Sequence, residues 1–423
     1  MPRARNERNM KIIVATPYAP WPIAKGNDRL IMNLLHGLAS RHDVVLVTVA
    51  LSRGELERLH EIEGPRIAVR AILAPNKRSV FHRAFYKVRN IAAAAFTGVP
   101  AQVSYAAPEP FLRLIAATAT NEKVDLVLAS YWHLYRLPDR IKGAKLVLVT
   151  HDLDFVVNAG RLAALGGIAR FAASVRLRAL ERIEAKAYER YITILTVTPS
   201  DAEVLARYPV AAGKAVRALP LALDLAEFNP AAFRREKNKV LFMGSFYSDF
   251  NRDALRYFTG EVLPLVRAKK RGVRLEVVGR GVTGDMRAST GPDVSFTGGV
   301  EDIRPYLGSC AVMVLPLRFC GGVRIRMMEA AAMGTPVVST PAGVAGMGLV
   351  AGRDYLEAGS SAEMAQAILR LLDDGEEAAR VGANARRWAE ATISMESYPR
   401  RLDELFGTIL PGTAGPAKIP PPA

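Results

Sequence analysis

Cysteine is nearly missing from this chain of 423 residues, which contains only Cys310 and Cys320. Two cysteines cannot build a disulfide framework, their pairing offers no zinc site, and such usage points to a reducing compartment. Histidine is scarce too, at six residues. No uncharged apolar stretch of about 20 residues occurs, so no transmembrane helix is expected. The basic N-terminus followed by Met10–Ala15 has the outline of a secretory signal, but the apolar run is short and Pro17, Pro20 and Pro22 break it. A first strand is expected there instead, in a cytoplasmic protein.

Acidic residues are also in deficit, 41 against 57 Lys and Arg, for a formal charge of +16. The imbalance is local. Between Glu63 and Glu109 there is no acidic residue, while Arg66, Arg70, Lys77, Arg78, Arg83, Lys87 and Arg89 all fall there. Phe81, Phe85 and Val88 recur at helical spacing among these cations, so residues 76–92 fit a helix lying on an anionic membrane surface. Packing of the same aromatic face on a sheet is the competing reading. A second arginine-rich helix, about 172–191, is balanced by Glu181, Glu184 and Glu189. Nucleic acid as the partner is disfavoured, because no zinc finger, aromatic RNA-binding motif or helix-turn-helix accompanies the charge.

Half the residues are hydrophobic, enough for a large core, and the length predicts two or three domains. Strand and helix signals alternate in two blocks. Lys11–Ala15, Val44–Thr48, Val124–Ala129, Lys145–Val149 and Ile194–Thr198 form the first, with a helix near 28–40. Val240–Gly244, Leu275–Gly279, Val294–Gly298, Ala311–Leu315 and Pro336–Ser339 form the second. Each block is a doubly wound α/β pattern. A proline-punctuated stretch from Leu219 to Pro230 separates them, placing the boundary near residue 218. The tail 411–423 lacks an apolar pattern and is expected to be disordered.

The segment Cys310–Thr340 carries the strongest functional signal. Between two short, β-branched strands, Gly321 and Gly322 make a turn, and Val323–Met333 is rich in helix formers until Gly334. Arg324 and Arg326 in the first turn of a helix are electrostatically unfavourable unless an anion arrives, and a diphosphate would fit. Glu329 follows one turn later on the same face, where a carboxylate can accept hydrogen bonds from two ribose hydroxyls.

This segment resembles the donor-site signature of glycosyltransferase family 4, retaining enzymes that use nucleotide sugars. Glu329 matches the second glutamate of that signature, the ribose-binding one. Gly321 stands where the first glutamate is usual. One branch of the family has Gly-Gly, a variable residue, Arg, an apolar residue and Lys before the Glu helix. Gly322, Val323, Arg324 and Arg326 fit that form, with Arg326 replacing the lysine. The resemblance implies a GT-B fold of two Rossmann-like domains facing a central cleft: residues 1–218 on the acceptor side, 219–395 binding the donor, and a helix at 396–410 crossing back to the first domain. It also implies donor contacts from the loops after strands, at Gly244 and Ser245 and at Gly279. On the acceptor side, Gly26 and Asn27 match a glycine loop that approaches phosphate and acceptor. His151 and Asp152 match a histidine-aspartate pair, and His133 follows the preceding strand.

The activity so implied is transfer of a sugar from a nucleotide-diphosphate sugar to an acceptor hydroxyl, in cell-surface polysaccharide or glycolipid assembly. The leaving phosphate would be stabilised by Arg324, Arg326 and the helix N-terminus. No cofactor and no metal are expected. Asp152 and Asp154 spell an Asp-x-Asp tripeptide, which is common by chance. A nucleotide-sugar 2-epimerase and a catalytically silent partner subunit of the same fold stand as alternatives.

Overall fold

The computed structural model describes residues 9–23, 26–77, 82, 85–86, 88–90, 99–163, 167–288, 290–291, 293–319 and 325–409. It divides into two compact units, residues 1–220 with 397–423, and residues 221–396. Gly322, Val323 and Arg324, with Cys320 and Gly321, lie outside the described residues, as do the tail after residue 409 and much of the basic segment 76–92.

The first unit is built on a seven-stranded sheet of order β3-β2-β1-β4-β5-β6-β7, parallel throughout. Its strands are β1 (Lys11–Thr16), β2 (Asp43–Ala50), β3 (Ile67–Leu73), β4 (Leu126–Ser130), β5 (Lys145–Thr150), β6 (Thr193–Thr196) and β7 (Ala215–Ala218). Helices cover both faces, so central strands read as continuous apolar runs, and Ile12, Ile13, Val14 and Ala15 are all fully buried. Each such Ile or Val side chain contributes roughly 2 kcal/mol by leaving water. The strand order reverses between β1 and β4, which opens a crevice beyond their carboxyl ends.

The second unit holds a six-stranded sheet of order β10-β9-β8-β11-β12-β13. These are β8 (Glu236–Met243), β9 (Arg274–Val278), β10 (Val294–Gly298), β11 (Cys310–Leu315), β12 (Val337–Ser339) and β13 (Leu356–Glu357). Here the order reverses between β8 and β11. Helix Ile325–Ala332 follows β11 and ends at Gly334, whose φ of 60° turns the chain while Thr335 N–H donates to the Ala330 carbonyl at 2.8 Å.

β3, β7 and β13 go beyond the strands the sequence predicts. β3 lies in the stretch without acidic residues; its Arg70 reaches Glu122 at 3.5 Å. Helix Tyr398–Ile409 belongs to the first unit and packs on helix Gly26–Ala39. A Cβ on Gly37 would stand 2.5 Å from Tyr398 Cδ1, so this approach needs glycine. Asp403 closes the contact by accepting from Arg41 Nη1 at 2.6 Å and lying 3.1 Å from His42 Nε2.

Candidate active-site elements in each unit

In the first unit, aromatic side chains gather where β1, β4 and β5 end. Tyr131, directly after β4, has φ of 75°, a conformation costly for a bulky residue, and its N–H donates to the Val149 carbonyl at 2.8 Å. Its ring stacks on His151, with centroids 4.3 Å apart and planes 21° from parallel. Tyr18, after β1, meets Tyr131 edge-on at 5.3 Å. Asn27 Nδ2, near the start of the first helix beside Gly26, donates to the Tyr131 hydroxyl at 3.3 Å. His133 stacks on Trp132 at 4.1 Å.

His151 is buried and neither ring nitrogen has a hydrogen-bond partner; His133 Nδ1 is likewise buried without one. Desolvation lowers the pKa of both imidazoles to about 4, so they are neutral at physiological pH. Burial likewise raises the Tyr131 phenol above its ordinary value. A neutral imidazole can both donate and accept, and these buried nitrogens at the sheet's carboxyl end have neither capacity used. A pKa so low makes His151 a weak base.

Asp152 follows His151, and its carbonyl accepts from Thr150 Oγ1 at 2.8 Å. Asp154 Oδ2 accepts from the Trp132 indole at 2.8 Å. Asp154 is therefore committed to an indole. Among the described residues, no group of three or more His, Cys, Asp or Glu side chains is arranged to hold a metal.

In the second unit, Gly244 and Ser245 follow β8 and Gly279 follows β9. Gly244 N–H donates to the Val278 carbonyl at 2.9 Å, and Phe246 N–H to the Arg280 carbonyl at 2.8 Å, which binds the two loops together. Gly279 has φ of 147°, and a Cβ there would lie 1.7 Å from the Gly244 carbonyl oxygen. Helix Ile325–Ala332 brings Arg326 to the same place. Its Nη1 donates to the Met243 carbonyl at 2.6 Å and its Nη2 to Asn251 Oδ1 at 2.9 Å, while Asn251 Nδ2 donates to the Ser245 carbonyl at 2.8 Å.

The charge of Arg326 thus has protein acceptors, so an anion is not needed to explain a cation in that first turn. Its observed work is to tie the helix start to the loop after β8. Glu329, one turn on, is 7% exposed in a helix whose Met327, Met328, Ala330, Ala331 and Ala332 are fully buried. An ionisable side chain among such neighbours is rarely there for packing alone.

The structure brings Gly244, Ser245, Gly279 and Arg326 to one end of the second sheet, on the same loops and helix that carry Glu329. In the first unit it gathers Asn27, His133 and His151 around Tyr131 and Trp132. Tyr18, Tyr131, Trp132 and Asn251 are contributors that sequence reasoning missed. Position directly after a strand was the available signal for Tyr131 and Trp132; nothing local marks Asn251 as the partner of Arg326.

Residues 237–374 match the family model for glycosyl transferases group 1. Among proteins with curated descriptions, none matches the chain by sequence. Solved structures match over almost its full length. Sucrose-phosphate synthase from Thermosynechococcus elongatus gives a TM-score of 0.69 at 17% identity, over 95% of this chain and 99% of that one. HepE from Anabaena, in complex with UDP-glucose, gives 0.64 at 15% identity, over 95% and 100%. WaaG, a glycosyltransferase involved in lipopolysaccharide biosynthesis, gives 0.60 at 15% identity, also over 95% and 100%. At these identities the likeness is one of fold. The chain has the GT-B fold, and within its second unit residues 237–374 match the family model for glycosyl transferases group 1.

Proposed function

We propose that this protein is a retaining glycosyltransferase that moves a sugar from a nucleotide-diphosphate sugar to a hydroxyl of a glycan or lipid-linked acceptor, in cell-surface polysaccharide or glycolipid assembly. The observation that carries the reading is the convergence of Gly244, Ser245, Gly279 and Arg326 at the switch point of the second sheet, beside a helix bearing the buried Glu329. Close glycine backbones leave room for a diphosphate, the helix start supplies positive potential, and Glu329 offers a carboxylate to ribose hydroxyls. HepE, a protein of the same fold, binds UDP-glucose, which favours a UDP-sugar donor.

As negative charge builds on the leaving phosphate, the helix N-terminus and the loop that Arg326 holds in place stabilise it without a metal, and Arg324, next to Ile325 in sequence, adds its charge. His151, neutral and stacked on Tyr131, orients an acceptor hydroxyl, and His133, Asp152, Gly26 and Asn27 line the same side. Phe85 and Val88, 62% and 68% exposed on the described part of the basic segment, support a peripheral place on the inner face of an anionic membrane. No helix of the described residues is long and apolar enough to cross one.

Glycine at position 321, where the family signature has a glutamate, favours a second reading as a catalytically silent partner subunit. Calorimetry with UDP, GDP, ADP and their sugar conjugates, without metal, separates the two. Nucleotide-specific binding that Glu329→Ala weakens by about tenfold or more supports the donor site. Folded wild type that binds none of them overturns it.

A further inference from the structure

Glu184 lies on helix Gly167–Arg190 with 1% of its surface exposed. Its Oε1 accepts from the backbone N–H of Asp154 at 2.9 Å and from the Tyr188 hydroxyl at 2.7 Å. Those two contacts lead to different loops. Asp154 receives the indole N–H of Trp132, on which His133 stacks. The Tyr188 hydroxyl is 3.4 Å from Thr150 Oγ1, which in turn donates to the Asp152 carbonyl, so His151 is bracketed on both sides in sequence. Glu184 Oε2 is buried without a well-formed hydrogen bond, and the Phe155 backbone N–H also acts on this carboxyl. An apolar side chain of similar size would leave the Asp154 N–H at the helix start and the Tyr188 hydroxyl without their acceptor, so Glu184 is what holds the two loops to this helix.

We propose that Glu184 is a positioning residue that fixes the loops after β4 and β5, and through them the orientations of His133 and His151; the catalytic consequence rests on the acceptor-side reading above. Burial, with the Asp154 carboxylate adding to it, raises the Glu184 carboxyl to about 8; Tyr188 and Tyr208 are the other titratable groups that interact with it. Glu184 is accordingly a neutral acid at physiological pH. Because its folded value is raised, its support is full below the ordinary carboxyl range and is lost as pH rises through about 8, when a second negative charge appears beside Asp154.

The test is nuclear magnetic resonance of the imidazole signals of the six histidines in full-length protein labelled at histidine. His133→Gln and His151→Gln assign the two signals. Wild type is expected to show both signals moving with a midpoint near pH 8, and Glu184→Gln, which keeps the Oε1 acceptor, to lose that midpoint. Glu184→Leu should displace both signals at every pH and leave the other histidines in place. Unmoved His133 and His151 signals in Glu184→Leu, or no midpoint in wild type, would overturn the proposal. If the leucine variant fails to fold, the midpoint in wild type and its loss in Glu184→Gln decide alone.

Hydrolysis of UDP-glucose to UDP and glucose, with water taking the glucosyl group, supplies the functional readout. Glu184→Leu is expected to lower kcat by about tenfold with KM for UDP-glucose within about twofold, because the donor elements lie in the other unit. A KM effect with kcat unchanged counts against positioning of the histidines. Resonance results as expected, with no UDP-glucose turnover by any form, would sink this donor assignment and leave the positioning role standing.

Discussion

Arg326 and Asn251, 75 residues apart in sequence, are joined by a 2.9 Å hydrogen bond from the guanidinium to the side-chain carbonyl. Asn251 in turn holds the Ser245 carbonyl, so the pair locks the loop after β8 against helix Ile325–Ala332. Asn251→Ala removes one acceptor of a part-buried charge-assisted contact and should cost about 1–3 kcal/mol of stability. Nucleotide affinity should fall with it. Urea unfolding and calorimetry check the two effects, and unchanged affinity in a destabilised variant would confine Asn251 to the fold.

Arg326→Lys keeps the charge but cannot reach two acceptors in the planar geometry that Met243 and Asn251 require. Nucleotide binding should weaken in the lysine variant, though less than in Arg326→Ala. Equal losses in both would show that geometry, not charge, is what the site uses.

Gly279→Ala combines two faults: a φ of 147° and a Cβ that would overlap the Gly244 carbonyl oxygen at 1.7 Å. Destabilisation of roughly 3 kcal/mol or more is expected. Thermal unfolding measures it. A variant as stable as wild type would mean that the loops after β8 and β9 move apart easily.

His151 and His133 are both held near pKa 4 by burial, below the ordinary value near 6.5. Between these values the unfolded chain binds protons that the folded chain does not. Stability is therefore full above pH 6.5 and is lost as pH falls towards 4, by up to about 1.4 kcal/mol per pH unit for each histidine. His151→Phe, which can keep the stack on Tyr131, should flatten part of this slope in unfolding experiments from pH 7 to pH 4.5. An unchanged slope would place the sensitivity elsewhere.

Phe85 and Val88, exposed in a basic stretch where the Arg89 guanidinium lies over the Tyr86 ring, lead to a membrane prediction. Sedimentation with anionic phosphatidylglycerol vesicles should exceed that with neutral vesicles and fall with salt. The double variant Phe85→Ser and Val88→Ser should bind several-fold less at equal charge. Indifference to lipid charge would return these residues to an ordinary surface.

The sequence by itself determined the alternation of strands and helices, because buried parallel strands such as Lys11–Thr16 and Cys310–Leu315 announce themselves as apolar β-branched runs, and Gly334 ends its helix by a local conformational rule. It also marked Glu329 and the glycines after strands as unusual for their places. It did not reveal β3, whose run is interrupted by Arg70, or β13, which is two residues long. Only the tertiary structure decided what the charged and aromatic groups do. Strand order set Tyr131 against His151, Arg326 against Met243 and Asn251, and Glu184 beneath the loops after β4 and β5. Those partners come from separate elements, so no local periodicity carries them. The electrostatics followed from the same packing, since the shifts of His151 and Glu184 arise chiefly from desolvation, and burial of a side chain exists only once the sheets and helices have closed over it.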